Sequence, residues 1–134
     1  MANITTYLEN KLLDHATGRN SWTAPATTYA ALFTASPTIA YTSGSTDGTE
    51  VSTTSTGYVR KAITWGAASG GIIANSAALT WSASGTWGTV NTICIFDALT
   101  NGNLLWFGPL SASVAMDNGD EFTIPVGQLT IKIV

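Results

Sequence analysis

The chain has 134 residues, enough for one domain with a real core and too few for two. It is 45% hydrophobic but only 10% charged, against about 25% charged in ordinary soluble domains. Net charge is −3, and the basic residues Lys11, Arg19, Arg60, Lys61 and Lys132 never cluster beyond Arg60-Lys61, so the positive field that nucleic acid requires is missing. A surface so short of charge suits a chain whose faces are covered by neighbours in an assembly.

In chain order, residues 6–17 read as a helix. Thr6 with Glu9 matches a capping box, Leu8, Leu12, Leu13 and Ala16 form an apolar stripe, and Gly18 fits the left-handed position after the last turn. Three turns are marginal alone, so this helix is expected to dock. Tyr29 to Ala35 reads as a buried strand ended by Pro37. Residues 36–57 then form a long polar segment rich in Ser, Thr and Gly, expected to be an assembly arm or a mobile loop, with Tyr41 and Val51 as anchors.

Tyr58 to Trp65 alternates, placing Val59, Ile63 and Trp65 on one face and Tyr58, Arg60 and Thr64 on the other. Ile72 to Trp81 reads as one strand. The centre of the chain is a hairpin: Val90 to Phe96, a turn from Asp97 to Asn103, then Leu104 to Phe107, with Pro109 marking the exit. Consecutive apolar residues in both strands imply cover on both faces. Ser111 to Met116 is a further strand, Asp117-Asn118-Gly119-Asp120 a turn, and residues 121–124 and 128–134 close the chain. The expected fold is a single all-β domain over 1–134. It is an antiparallel, jelly-roll-like β-sandwich of about seven to nine short strands with one N-terminal α-helix.

Chemistry is sparsely provided. The one histidine, His15, stands near the helix end, where terminal carbonyls are its expected partners. The one cysteine, Cys94, lies inside an apolar strand and reads as packing. Asp97 reads as a turn residue, and the Asp117–Glu121 group lacks the ligand spacing of a calcium loop. No catalytic, cofactor-binding or metal-binding residue is assigned, and an enzyme is not expected. Five tryptophans (Trp22, Trp65, Trp81, Trp87, Trp106) are favoured as core or subunit interface over a sugar-stacking surface. No apolar run reaches the roughly 20 residues of a membrane span, and the polar start Met1-Ala2-Asn3 does not read as a signal peptide. Assembly in the cytoplasm is therefore expected.

Four stretches carry a family resemblance: Tyr7 to His15, Gly57 to Trp65, Trp87 to Val90, and Ile95-Phe96-Asp97 through Gly102 to Leu110. With the closing Gly119-Asp120 strand pair, the chain resembles a family of small tailed-bacteriophage virion proteins, often labelled tail fibre protein; it differs from them mainly in a longer 36–57 segment. The resemblance implies a virion structural protein and no residue with a chemical role. Proteins of this size and fold also serve phages as capsid decoration, or cement. The leading expectation is thus a homotrimer bound to the major capsid protein or other virion proteins, with neither nucleic acid nor membrane as partner. The alternative is a tail fibre or receptor-binding module that contacts cell-surface glycans.

Overall fold

The computed structural model describes residues 3–133. In chain order these form β1 (Asn3–Ile4), α1 (Thr6–Ala16), β2 (Thr28–Ala35), β3 (Thr49–Glu50), β4 (Lys61–Ile63) and β5 (Ile72–Ala74). β6 (Leu79–Ser82), β7 (Gly88–Phe96), β8 (Leu104–Met116), β9 (Glu121–Ile124) and β10 (Thr130–Lys132) follow. Every strand pairing is antiparallel. The fold is all-β with one helix. There are ten strands rather than seven to nine, because residues 72–81 divide into β5 and β6 and because two-residue pairings form at β1 and β3. Val134, at the end of the expected last strand, lies outside the described residues, as do Met1 and Ala2.

A six-stranded sheet runs β1-β8-β7-β2-β3, with β4 also paired to β2, while β5–β10 and β6–β9 form two ribbons. Side chains alternate across the sheet, and both sides are buried. Ala30, Leu32 and Ile95 point into the larger core with Leu79, Trp81, Ile124 and Ile131 of the ribbons. Ala31, Phe33, Cys94 and Phe96 point the other way, into a smaller cluster with Leu104, Phe107 and Tyr41. The ribbons thus cover one face, and α1 with part of the 36–50 segment covers the other. Consecutive buried residues at Cys94-Ile95-Phe96 and Leu104-Leu105 fit the two-sided cover expected of the hairpin.

Two of the boundaries that differ from expectation have a clear tertiary cause. The helix cap is Thr5, not Thr6. Thr5 has extended backbone (φ −79°, ψ 155°), its Oγ1 accepts from the Leu8 N–H and donates to the Leu104 carbonyl at 2.7 Å. One buried hydroxyl therefore starts the helix and fastens it to β8, a choice made by tertiary contact rather than local pattern. Leu8 is fully buried while Leu13 is exposed, so the docked stripe is narrower than its leucines imply. Pro109 does not end the second hairpin strand either. β8 continues to Met116 through a wide bulge, with Leu110 to Ser113 opposite Asn91 alone. Pro109 is tolerated because β1 pairs with β8 only at Trp106 and Phe107, leaving the outer edge beyond it free of a strand.

Candidate functional site

The segment before β4 is held by side chains rather than by strand pairing. Gly57 takes φ +72°, Thr56 Oγ1 donates to the Ser52 carbonyl and accepts from the Tyr58 N–H, and Trp87 Nε1 donates to the Thr56 carbonyl at 2.8 Å. Trp81 Nε1 likewise donates to the Val59 carbonyl at 2.8 Å. Pinned this way, Tyr58 and Arg60 turn inward and Val59 faces solvent. Tyr58 and Arg60 thus share a face opposite Val59, as the alternation implies, but Val59 does not share a buried side with Ile63, because residues 58–60 precede β4 and are not paired as a strand.

Inside, Arg60 grips Glu50 with Nε and Nη2, each at 2.9 Å. Its Nη1 donates to the carbonyls of Ala98 (2.9 Å) and Asn101 (2.7 Å), and its guanidinium lies over Phe96, 3.8 Å from the ring centroid. Tyr58 donates its hydroxyl to Glu50 Oε2 at 2.7 Å and accepts from the Leu32 N–H at 3.0 Å. Burial, reinforced by the Glu50 charge and hydrogen bond, pushes the Tyr58 phenol far above its ordinary range. Burial opposes the charge on Arg60, but the hydrogen bonds and charge of Glu50 outweigh it, and its pKa rises. No buried side-chain nitrogen or oxygen lacks a partner among the described residues. This network joins β3, the 58–60 segment and the hairpin turn, and Arg60, beside Lys61 in an alternating stretch, gave no local sign of it.

Above the ion pair lies a cleft of 370 Å³, walled by Tyr41, Asp47, Glu50, Val59, Leu99 and Asn101. Tyr41 and Val51 are both buried, so the 36–57 segment is anchored at the two positions expected of it, while Ile39 is exposed. Asp47 braces the rim, accepting from the Thr38 N–H (3.0 Å) and hydroxyl (2.6 Å). A second, more apolar groove of 560 Å³ runs between the β8 bulge and β9, past Ile93, Leu110, Val114 and Phe122.

The residues weighed in the sequence do not converge. Cys94 is fully buried beneath the smaller cluster, its thiol pushed up by burial. Asp97 accepts from the backbone and side-chain N–H groups of Asn103 and closes the hairpin turn. His15 does not meet helix carbonyls; its Nδ1 accepts from the Trp22 N–H at 3.2 Å and so ties the following chain to the helix. Asp117 and Asp120 bond to each other in a turn at Gly119, φ +93°. Trp81 and Trp87 are core, whereas Trp65 and Trp106 are half-buried at its margin. Among the described residues no three His, Cys, Asp or Glu side chains group as a metal site, and no helix is long and apolar enough to cross a membrane.

No curated protein matches the chain. A family model described as Podophage GP4 fiber I protein gp80 matches residues 3–132, nearly the whole length. That match agrees with the resemblance carried by the hairpin and helix motifs, and it makes the protein a phage virion component with a structural role. The chain belongs to the Podophage GP4 fiber I protein gp80 family.

Proposed function

We propose that the protein is a non-catalytic assembly subunit, one that joins copies of itself and other virion proteins. The observation that carries this reading is the state of its buried polar groups. Glu50, Arg60 and Tyr58 bond to one another and to backbone, which makes a rigid brace rather than a reactive centre. Self-association is further supported by the outer edge of β8. From Gly108 to Met116 that strand carries no charged residue, and Ser111, Ala112, Ser113 and Ala115 are exposed. With Pro109 and the bulge at Leu110 to Ser113 interrupting it, the regular part of this uncharged edge, Val114 to Met116, is what a second copy could pair with.

Two separate observations bear on location. The low charge suits a homotrimeric decoration protein seated on the major capsid protein, where many weak contacts would add up over a lattice. The family description names a fibre, which favours a tail appendage. Cryo-electron microscopy of intact particles, with copy number read from a protein gel, separates them. Hundreds of copies on the head support decoration, and tens at the tail support a fibre. Absence from purified particles, or a monomer at every concentration in solution, overturns the assembly reading.

A further inference from the structure

Residues 3–22 form a unit of their own. The chain that follows α1 folds back on the helix. Asn20 N–H donates to the Asp14 carbonyl at 3.1 Å, Arg19 pairs with the Asp14 carboxylate at 3.3 Å, and Trp22 N–H donates to His15 Nδ1 at 3.2 Å. Thr23 to Thr27 then make no hydrogen bond between backbone groups, among the described residues, and all of them but Pro25 are exposed. With no backbone tie to fix it, that stretch is a hinge between the N-terminal module and the body of the chain.

The module's hydrogen bonds to the body gather at one short site. β1 pairs with Trp106 and Phe107. Thr5 bonds through its N–H to the Leu105 carbonyl and through Oγ1 to that of Leu104, and Thr6 N–H donates to the Ile39 carbonyl at 2.9 Å. Leu8 is the helix residue fully buried there. Neither hydrophobic cluster contains a residue earlier than Ala30. The module can therefore lift from the edge of the sheet without drawing a side chain out of either core. It leaves behind an unpaired stretch of β8 that needs a strand, and it carries away a leucine that needs a pocket.

A second copy of this chain meets both needs, because its own module and its own β8 are identical. The contacts are the same within one chain or between two, so the balance rests on the hinge and on whatever the copies gain by touching. Charge does not oppose the exchange. Glu9 and Asp14 balance Lys11 and Arg19, so the module is neutral and the chain's charge of −3 lies in the body. Leu13 on α1 and Ile39 beside Thr6 are both more than half exposed, an apolar surface at this site for a neighbour to cover. We propose that residues 3–22 are an exchanged module, which each copy docks on β8 of the next. The inference rests on the assembly reading above and adds how the copies hold one another.

The test is a disulfide set at the docking site. Thr5 and Leu105 share a backbone hydrogen bond, so the adjacent pair Ile4 and Trp106 is the closer, non-hydrogen-bonded kind. Such pairs have Cα atoms about 4.5 Å apart, a spacing that a disulfide accepts. Ile4→Cys with Trp106→Cys in the full chain, oxidised and run on a non-reducing denaturing gel, is expected to give covalent dimers or trimers. Cys94, fully buried, takes no part, and Ile4→Cys alone is expected to stay a single chain. Deleting Ala24, Pro25 and Ala26 shortens the hinge by about 10 Å and touches neither core. That variant is expected to remain oligomeric in sedimentation at concentrations where wild type dissociates. A disulfide closed within one chain in an oligomeric sample, equal linking by Ile4→Cys alone, or a monomeric deletion variant overturns the exchange. The first of these leaves the assembly reading standing, whereas wild type that is monomeric at every concentration removes both.

Discussion

Glu50 and Arg60, ten positions apart, meet through two hydrogen bonds of 2.9 Å, with the arginine side chain only 6% exposed. A largely buried pair of this kind adds little over an apolar pair of the same shape, but breaking it is costly because Glu50, 27% exposed, would be only partly reached by water. Arg60→Ala leaves Glu50 uncompensated and the Ala98 and Asn101 carbonyls without their donor. The expected loss is about 3–5 kcal/mol, seen as a fall in Tm of about 10–20 °C. A loss below about 1 kcal/mol in urea unfolding would show that the pair is dispensable.

The same network makes stability depend on alkaline pH. The folded state raises the pKa of Tyr58, chiefly by burial and then through Glu50, and burial also raises those of Tyr41 and Cys94. A raised pKa means that the folded chain holds its proton where the unfolded chain releases it. The contribution is therefore complete below the unfolded values of 10.0 for tyrosine and 9.0 for cysteine, and it is lost as pH climbs through and above them. Melting temperature is expected to fall steadily from about pH 9 upward, and Tyr58→Phe to flatten that limb. Equal slopes in wild type and variant would contradict the assignment.

The helix offers a comparison between two leucines. Leu8 is fully buried and Leu12 only half-buried, although both belong to the same apolar stripe. Leu8→Ser is expected to cost about 2–5 kcal/mol, the range for emptying a core leucine site. Leu12→Ser is expected to cost about 1 kcal/mol or less. Chemical denaturation of both variants measures the difference, and equal losses would mean that the helix docks along its whole stripe.

Local rules located what local chemistry decides. Asp97 and Asn103 close the hairpin turn as their side chains imply, Gly18 takes a left-handed φ of +77°, and Tyr41 and Val51 hold the long polar segment. The misreadings occur where distant residues overrule that chemistry. Thr5 rather than Thr6 caps the helix because the Leu104 carbonyl, 99 positions away, needs its hydroxyl. Val59 loses the face it was expected to share with Ile63, because Leu32, Glu50 and the hairpin turn hold Tyr58 and Arg60 inward. The cleft was equally hidden, since its walls come from Phe33, residues 41–60 and residues 99–101, which no spacing rule connects.

The hairpin turn that receives Arg60 depends on a single glycine. Gly102 has φ +78°, and a Cβ there would stand 2.6 Å from Asp97 Oδ1 and 2.7 Å from Ala98 Cβ. Alanine would thus meet both an unfavourable backbone region and two atoms that other bonds hold in place. Asp97 is fixed by Asn103, and the carbonyl of Ala98 by Arg60. Relief requires the turn to shift, which would pull Ala98 and Asn101 away from the guanidinium. Gly102→Ala is therefore expected to destabilise by about 2–4 kcal/mol, more than backbone strain alone accounts for. A double-mutant cycle with Arg60→Met checks the mechanism. If the turn moves as argued, the two losses are less than additive by at least about 0.5 kcal/mol, and full additivity would mean that turn and ion pair are independent.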